Sequence, residues 1–208
     1  FLNTNNLAVV YMSTPNLPLR YEIDNDGTGP ATTMDHICAT VISEGGVSDT
    51  GALHYKSTEG THIDANTENV IYAILGVRLK TTHLGASVNM ERIGLQIQTG
   101  SENGEWIWAL NPTVAGTFTY SDVANSAIQA ATGATANTVS GGTPITGGYL
   151  ESTSGGGGSG GLTVALPNAI RLGAAIDGTR DEMVLCWRPI GGTSSHDIEG
   201  SLTWRELQ

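Results

Sequence analysis

The stretch Val70-Ile-Tyr-Ala-Ile-Leu-Gly-Val-Arg-Leu-Lys80 decides the fold class of this chain of 208 residues. Over its second half, Leu75, Val77 and Leu79 alternate with a glycine and two basic residues. Because successive side chains of a β-strand point to opposite faces, this period of two predicts a strand with one apolar face.

The same period recurs along the rest of the chain. In residues 87–99, the apolar residues Ile93, Leu95 and Ile97 face the opposite way from Gly94 and Gln96. Further strand candidates are residues 7–12, 17–23, 36–43, 52–56, 105–110, 117–120, 162–166, 182–188 and 198–207. Many short strands with turn signals between them predict an all-β fold, an antiparallel β-sandwich that is jelly-roll-like.

Helices are not favoured anywhere in the sequence. No apolar stripe with helical spacing lasts three turns. The best helix candidates, residues 123–131 and 165–172, are short and rich in small residues, and so too weak to stand alone.

A β-hairpin is predicted near the start of the sequence. Leu17, Leu19, Tyr21 and Ile23 fall on one face of an extended segment, since two nearby prolines exclude a helix. A polar turn rich in Asp and Gly follows, and then comes the apolar run at residues 36–43. This order predicts two antiparallel strands joined by the turn.

The charge balance excludes several classes of partner. The chain has 9 Lys and Arg against 20 Asp and Glu, and its net charge is −11. Binding to nucleic acid through the phosphate backbone needs clustered basic residues, so no nucleic acid is expected as a partner. No apolar run approaches the roughly 20 residues of a membrane-spanning helix, so no membrane insertion is expected. An acidic surface suits an outward-facing, soluble role.

The two cysteines, Cys38 and Cys186, each lie in an apolar run that resembles a strand. The favoured interpretation is a pair of buried free thiols, because free cysteine is commonly buried. A disulfide between the two strands is the alternative. No second Cys or His stands at the spacing of a zinc site.

Trp106 and Trp108 are the candidate binding residues. They are two apart in a strand candidate and therefore share one face. On an exposed face they would form a stacking platform for a host-surface glycan. On an inward face they would be anchors of the core or of a subunit interface, which is the favoured interpretation.

Two polar clusters could bind a metal ion, but simpler interpretations are favoured. His54, His62, Glu59 and Asp64 lie in a turn-rich stretch that is best explained as an exposed loop. The run of Asp and Asn at residues 24–26 lacks the Glu that completes a calcium loop, and Asx turns explain it. The sequence therefore predicts no catalytic, cofactor-binding or metal site, and the chain is not expected to be an enzyme.

A family resemblance is carried by five stretches. They are Tyr11-Met-Ser-Thr-Pro-Asn-Leu-Pro-Leu-Arg-Tyr-Glu-Ile23, His36-Ile-Cys-Ala-Thr-Val-Ile-Ser-Glu-Gly-Gly46, Val70-Ile-Tyr-Ala-Ile-Leu-Gly-Val-Arg-Leu-Lys80, Leu110-Asn-Pro-Thr-Val-Ala-Gly-Thr-Phe-Thr-Tyr120 and Gly200-Ser-Leu-Thr-Trp-Arg-Glu-Leu207. In this order they resemble a family of tailed-bacteriophage virion structural proteins, and the resemblance covers nearly the whole chain. In similar proteins a further β-rich region precedes the first stretch. The strand pattern predicts a single β-sandwich domain over residues 1–208, and the resemblance implies that this domain is the C-terminal part of a longer protein.

One region interrupts the strand pattern. Residues 132–161 are rich in Gly, Ser and Thr and end in Gly155-Gly-Gly-Gly-Ser-Gly-Gly161. Such a composition buries little apolar surface and predicts a flexible loop. Although the run looks like an engineered linker, family-like sequence flanks it on both sides, which favours a natural loop.

The resemblance implies a location on the virion surface and carries over no catalytic motif. The expected function is that of a non-enzymatic structural protein, as a capsid decoration, a head fibre or a tail-associated protein assembled in the host cytoplasm. Its expected partners are other capsid or tail proteins and further copies of itself, with a trimer favoured among symmetric homo-oligomers. The alternative function is a carbohydrate-binding module that holds a host glycan, and a glycan-cleaving enzyme ranks last.

Overall fold

The computed structural model describes Thr28 and residues 51–98, 102–151, 160–165, 171–175, 177–191 and 196–207. From residue 51 onward these belong to one compact unit, Ser48–Gln208. Apart from Thr28, the predicted hairpin of residues 17–43 with its Asp-rich turn lies outside the described residues, and so does Cys38. Within the described residues, no helix is long and apolar enough to cross a membrane.

The described part of the chain is all-β. Its strands are β1 (Ala52–Ser57), β2 (Ile63–Ala65), β3 (Tyr72–Leu79), β4 (Ser87–Ile97), β5 (Asn103–Leu110), β6 (Thr113–Val114), β7 (Ser121–Asp122), β8 (Ile128–Thr132), β9 (Val139–Ser140), β10 (Thr143–Glu151), β11 (Gly160–Ala165), β12 (Arg171–Leu172), β13 (Glu182–Gly191) and β14 (His196–Leu207). A single 3-10 turn at Thr81–His83 lies between β3 and β4.

Two antiparallel sheets form the sandwich, as the sequence predicts. Sheet A has the order β1-β14-β4-β11, with β2 also paired to β14 and β12 to β4. Sheet B has the order β10-β5-β13-β3-β8-β7, and β6 and β9 form a separate pair. The finer prediction of a jelly-roll arrangement stays a prediction.

The core lies between the two sheets, and β14 shows how the sequence builds it. Along this strand Ile198, Leu202 and Trp204 are fully buried, whereas Thr203 and Arg205 between and beside them are half-buried on the outer face. Full burial of each such apolar side chain contributes about 1.5–3 kcal/mol to folding. The period of two in the sequence of β14 therefore identifies the face of the strand that packs against sheet B.

Sheet B is covered on its outer face as well. A second, smaller cluster contains Ala73, Val184 and Cys186, with Val114 and Phe118 packed against it. Residues between β5 and β10 supply this cover, which explains why β3 is apolar almost throughout instead of strictly alternating. The chain thus forms a third layer over part of sheet B.

The predicted loop of residues 132–161 is wrong over part of its length. Thr143–Glu151 is the strand β10, which pairs with β5 along its whole length. Gly147 and Gly148 are needed there, because a Cβ atom on Gly148 would lie 2.9 Å from the Trp106 Nε1 atom. The part of the glycine-rich run at residues 155–159 lies outside the described residues.

Three other local predictions also need correction. Residues 123–131 are not helical: a turn with Asn125 at a positive φ of 55° leads into β8. Residues 165 and 171–172 belong to the strands β11 and β12 and not to a helix. Residues 117–120 are not paired as a strand, because Phe118 and Tyr120 instead pack over the outer face of sheet B.

Candidate functional site

Trp106 and Trp108 lie inside the molecule. Their exposed fractions are 4% and 0%, and both belong to the main core between the sheets. Trp187 and Trp204 are also fully buried, so none of the four tryptophans offers an exposed ring. This burial rules out the alternative of an exposed glycan platform at Trp106 and Trp108 and places both in the core, which is one part of the favoured interpretation.

Cys186 is a free, fully buried thiol on the outer face of β13. Burial raises its pKa to about 12, because a thiolate would lose its hydration there. The prediction of a buried free thiol is confirmed at this position, and the alternative of a disulfide at Cys186 is wrong.

The four residues weighed as a possible metal cluster, and explained more simply as an exposed loop, are dispersed: His54 lies in β1 and Asp64 in β2, and Glu59 and His62 lie between these strands. Glu59 pairs with Lys56 in the turn after β1, and His62 lies 3.6 Å from the Asp197 Oδ1 atom. Asp64 stands directly opposite Asp197 in the β2–β14 pair. Within the described ranges, no group of three His, Cys, Asp or Glu side chains is arranged to hold a metal ion.

His54 instead joins a buried carboxylate that the sequence analysis missed. Glu206 in β14 is only 6% exposed. One of its oxygens accepts hydrogen bonds from the Ser126 hydroxyl and, at 2.9 Å, from the Trp204 Nε1–H group. The Ala127 backbone N–H lies within 3.0 Å of both oxygens. The His54 Nε2 atom lies 3.7 Å from the other oxygen.

These donors determine the ionisation of Glu206. Burial alone would raise the pKa of the carboxyl group, but the hydrogen bonds from Ser126, Ala127 and Trp204, helped by His54, outweigh it and hold the pKa below its usual range. The Ser126 hydroxyl contacts the carboxylate and not an imidazole, so the group is not arranged as a nucleophile with its base. The Glu206 carboxylate acts as a structural anchor: its hydrogen bonds hold the β7–β8 turn of sheet B against β14 of sheet A.

A cavity of about 320 Å³ opens beside this anchor. Its lining residues are Lys80, His83, Ala86, Asn125, Ser126, Ala127 and Glu206. The signal for Glu206 was available in the sequence, because alternation from Leu202 and Trp204 places residue 206 on the buried face. A carboxylate at such a position requires donors around it.

A second polar cluster lies on the outer face of sheet B. The Arg78 guanidinium donates to Glu182 at 2.7 Å and to Gln129 at 3.1 Å, and it lies 4.0 Å from the centre of the Tyr120 ring. The Tyr120 hydroxyl donates to Glu182 at 3.4 Å. Burial and the Glu182 carboxylate raise the pKa of Tyr120. This cluster fixes residues 117–120 against sheet B.

An open groove of about 610 Å³ runs along one side of the sandwich, where the edge strand β1 of sheet A meets the edge strand β7 of sheet B. We call it the β1–β7 groove. Its lining residues are Tyr55, Lys56, Glu59, Thr117, Thr119, Ser121, Asp122, Val123, Ala124, Ala130 and Thr132. The sequence analysis missed it, because its walls come from stretches that are far apart along the chain.

No protein-family model matches this chain, and no curated protein matches it either.

Proposed function

We propose that the chain is a non-enzymatic structural component of a tailed-bacteriophage particle. It is displayed on the particle surface, as a capsid decoration, head-fibre or tail-associated protein, and works through contacts with its own copies and with other virion proteins. The sequence resemblance and the acidic, low-charge β-sandwich support this proposal.

The observation that carries it is an exposed aromatic residue on a sheet edge. Tyr149 lies on β10, the outer strand of sheet B, and is 74% exposed. In register beside it, Glu105 and Arg188 form an ion pair, and Ile190 is exposed further along β13. Aromatic residues are enriched at interfaces, and an open edge can pair with another chain. A symmetric homo-oligomer, with a trimer favoured, would use this edge.

Purified particles of the phage that encodes the chain test the location. We expect mass spectrometry to detect the chain in the particles at a fixed copy number, and cryo-electron microscopy to place the sandwich in a repeated surface density. Its absence from every purified particle preparation would overturn the proposal.

Substitution of Tyr149 tests the subunit contact. We expect the purified chain, at 21.6 kDa per copy, to elute at a trimeric mass by light scattering. Tyr149→Glu should shift it towards the monomer, since it removes the ring and adds a charge at the edge. Leu53→Glu changes an exposed apolar residue on the other sheet and should leave the mass unchanged. A monomeric wild-type chain at about 100 µM, well above the dissociation constants of stable complexes, would contradict the contact.

A carbohydrate-binding module is the second candidate function. The buried tryptophans cannot serve it, but the β1–β7 groove favours it, because the hydroxyl-bearing residues Thr117, Thr119 and Ser121 line the groove.

A further inference from the structure

The outer face of sheet A carries two exposed apolar side chains at its β1 edge. Leu53 and Tyr55 are 57% and 62% exposed, and they stand two apart on β1, so they share one face. They are in register with Arg205 and Thr203, on the outer face of β14. An exposed aromatic ring beside an exposed aliphatic side chain favours a contact with another molecule.

Three arginines continue this face across the neighbouring strands. Arg205 of β14 and Arg171 of β12 are both in register with Asn89 of β4. Arg92 of β4 is in register with Thr203. Because neighbouring strands lie about 4.7–4.9 Å apart, the path from β1 to β12 is roughly 15 Å long. We call this surface the basic face, and its residues are Leu53, Tyr55, Arg92, Arg171 and Arg205.

The positive charge of the basic face is only partly neutralised. Arg205 donates to Glu91, whereas Arg92 and Arg171 are exposed and form no ion pair with any described residue. The other described basic residues are all engaged within the chain; they are Lys56, Arg78, Lys80, Arg180 and Arg188. The basic face is therefore where the described part of this acidic chain offers two arginines to a partner.

The carboxylates on the outer face of sheet A are separated from these arginines. Asp197 and Glu199 lie towards the opposite end of β14 from Arg205, and Asp64 stands in register with Asp197. Separated charges of this kind attract an acidic partner to one end of the face and repel it from the other, which fixes its position.

The combination of side chains identifies the class of partner. A guanidinium group binds a carboxylate through paired hydrogen bonds, so Arg92 and Arg171 fit acidic side chains. Leu53 fits apolar side chains, which a protein supplies. Tyrosine and arginine are also enriched among the residues that contribute most of the binding energy in protein interfaces. Nucleic acid is disfavoured, because its binding needs more clustered basic residues than this face has.

We propose that the basic face docks a segment of another protein that carries both acidic and apolar side chains. The apolar side chains of the segment pack on Leu53 and Tyr55, and its carboxylates accept hydrogen bonds from Arg92 and Arg171. The partner is not a second copy of this chain, whose contact is assigned to the β10 edge of sheet B. The inference goes beyond the proposed function, since it does not depend on a location in the particle.

A peptide array tests the proposal with the labelled full chain. It holds twelve-residue peptides of four kinds: acidic with Leu, Phe and Tyr, acidic with Ser and Gly, basic with Leu, Phe and Tyr, and neutral. We expect binding to the first kind above the other three. The affinity for the best peptide, measured by fluorescence anisotropy, should fall as sodium chloride is raised from 0.1 to 1 M, because salt screens the arginine–carboxylate attraction.

Variants of the chain assign the binding to the basic face. The affinity should fall about tenfold in an Arg92→Ala, Arg171→Ala double variant and should also fall in Tyr55→Ser. Lys56→Ala is the matched control, because it removes a positive charge from the same strand as Tyr55 but is in register with the buried Leu202. It should bind as the wild type does. Circular dichroism and thermal unfolding show whether each variant is folded.

Four results would overturn the proposal. They are no binding to acidic peptides with apolar residues at 1 mM, equal binding to the basic or neutral peptides, an affinity that the folded double variant retains, and tighter binding to dextran sulfate, an anionic polymer without apolar side chains. Dissociation of the oligomer by Leu53→Glu would also overturn it, since the face would then join copies of this chain. None of these peptide results bears on whether the chain is found in purified particles.

Discussion

Glu206 places a carboxylate where the alternation of β14 would put an apolar side chain. The cost of burying it is offset by donors from three places in the chain, namely Ser126, the Ala127 backbone and Trp204. Two of these lie on the β7–β8 turn, so this one residue connects the two sheets by hydrogen bonds at one end of the sandwich.

Glu206→Gln should lower the free energy of unfolding by about 1–3 kcal/mol, since a neutral amide is a weaker acceptor and brings N–H groups that face other donors. Glu199→Gln, on the half-buried outer face of the same strand, is the control and should cost less than about 0.5 kcal/mol. Urea unfolding at pH 7 measures both variants. Equal losses in the two would contradict the anchoring role.

The lowered pKa of Glu206 also predicts a pH dependence. The unfolded chain takes up a proton at this carboxyl group near its usual pKa of about 4.3, whereas the folded chain does so only at lower pH. The stabilisation is therefore present above about pH 4.3 and is lost as the pH falls through the folded pKa. Below pH 4.3 the difference in unfolding free energy between wild type and Glu206→Gln should shrink, and a constant difference down to pH 2.5 would contradict this.

Cys186 should be inert in the folded chain. In a Cys38→Ala background, we expect no reaction with a thiol reagent such as DTNB at pH 8 until the chain unfolds, because the thiol is fully buried and its pKa is raised to about 12. The same variant in guanidinium chloride, where the thiol is exposed, is the positive control. Rapid labelling of the folded chain would show that the cover of sheet B opens readily.

At the scale of elements, the segment 117–120 depends on a glycine in the strand beneath it. A Cβ atom on Gly76 would lie 2.6 Å from the Phe118 ring and 2.8 Å from the Tyr120 hydroxyl. The absence of a side chain at this position lets the two rings approach β3 closely, so that Thr119 between them points outwards.

Gly76→Ala should therefore lift the segment and lower the free energy of unfolding by about 1–3 kcal/mol, as overpacking does elsewhere. Gly85→Ala is the matched control, because nothing lies within 4 Å of the added atom. Urea unfolding measures the stability of both variants. An unchanged stability in Gly76→Ala would contradict the close approach.

The sequence predicted seven of the fourteen described strands, namely β1, β3, β4, β5, β11, β13 and β14, and missed the others, and the difference has a physical cause. β3, β4, β5, β13 and β14 each bury one face or both, so their apolar residues reveal them. β10 lies at an edge, where it contributes backbone pairing and lets a tryptophan approach its glycines. The Gly- and Thr-rich composition of β10 is typical of a flexible loop, but it suits an edge strand equally well, so composition alone could not reveal this strand.

The candidate sites were less predictable than the strands. Residues 106 and 108 could be assigned to one face of a strand, but only the packing of the two sheets decides which way that face points. The β1–β7 groove joins residues 55–59 to residues 117–132, and no local pattern brings these stretches together. Glu206 is the exception, because its position in the alternation already marked it as buried.

At the scale of the whole molecule, the net charge of −11 opposes association of identical copies. Salt shortens the screening length from about 10 Å at 0.1 M to about 3 Å at 1 M. We therefore expect the dissociation constant of the proposed oligomer to fall as sodium chloride is raised over this range, measured by sedimentation equilibrium. A dissociation constant that rises with salt would contradict this expectation and indicate that ion pairs between the copies dominate the contact.

The position of β14 has a consequence for synthesis on the ribosome. This strand follows all the others along the described chain, yet it lies inside sheet A, between β1 and β4, and also pairs with β2. Until β14 has emerged, β1 and β2 have no partner among the described strands of sheet A. The part of sheet A that contains β1 and β2 can therefore form only after β14 has been synthesised, and these early strands must avoid aggregation until then.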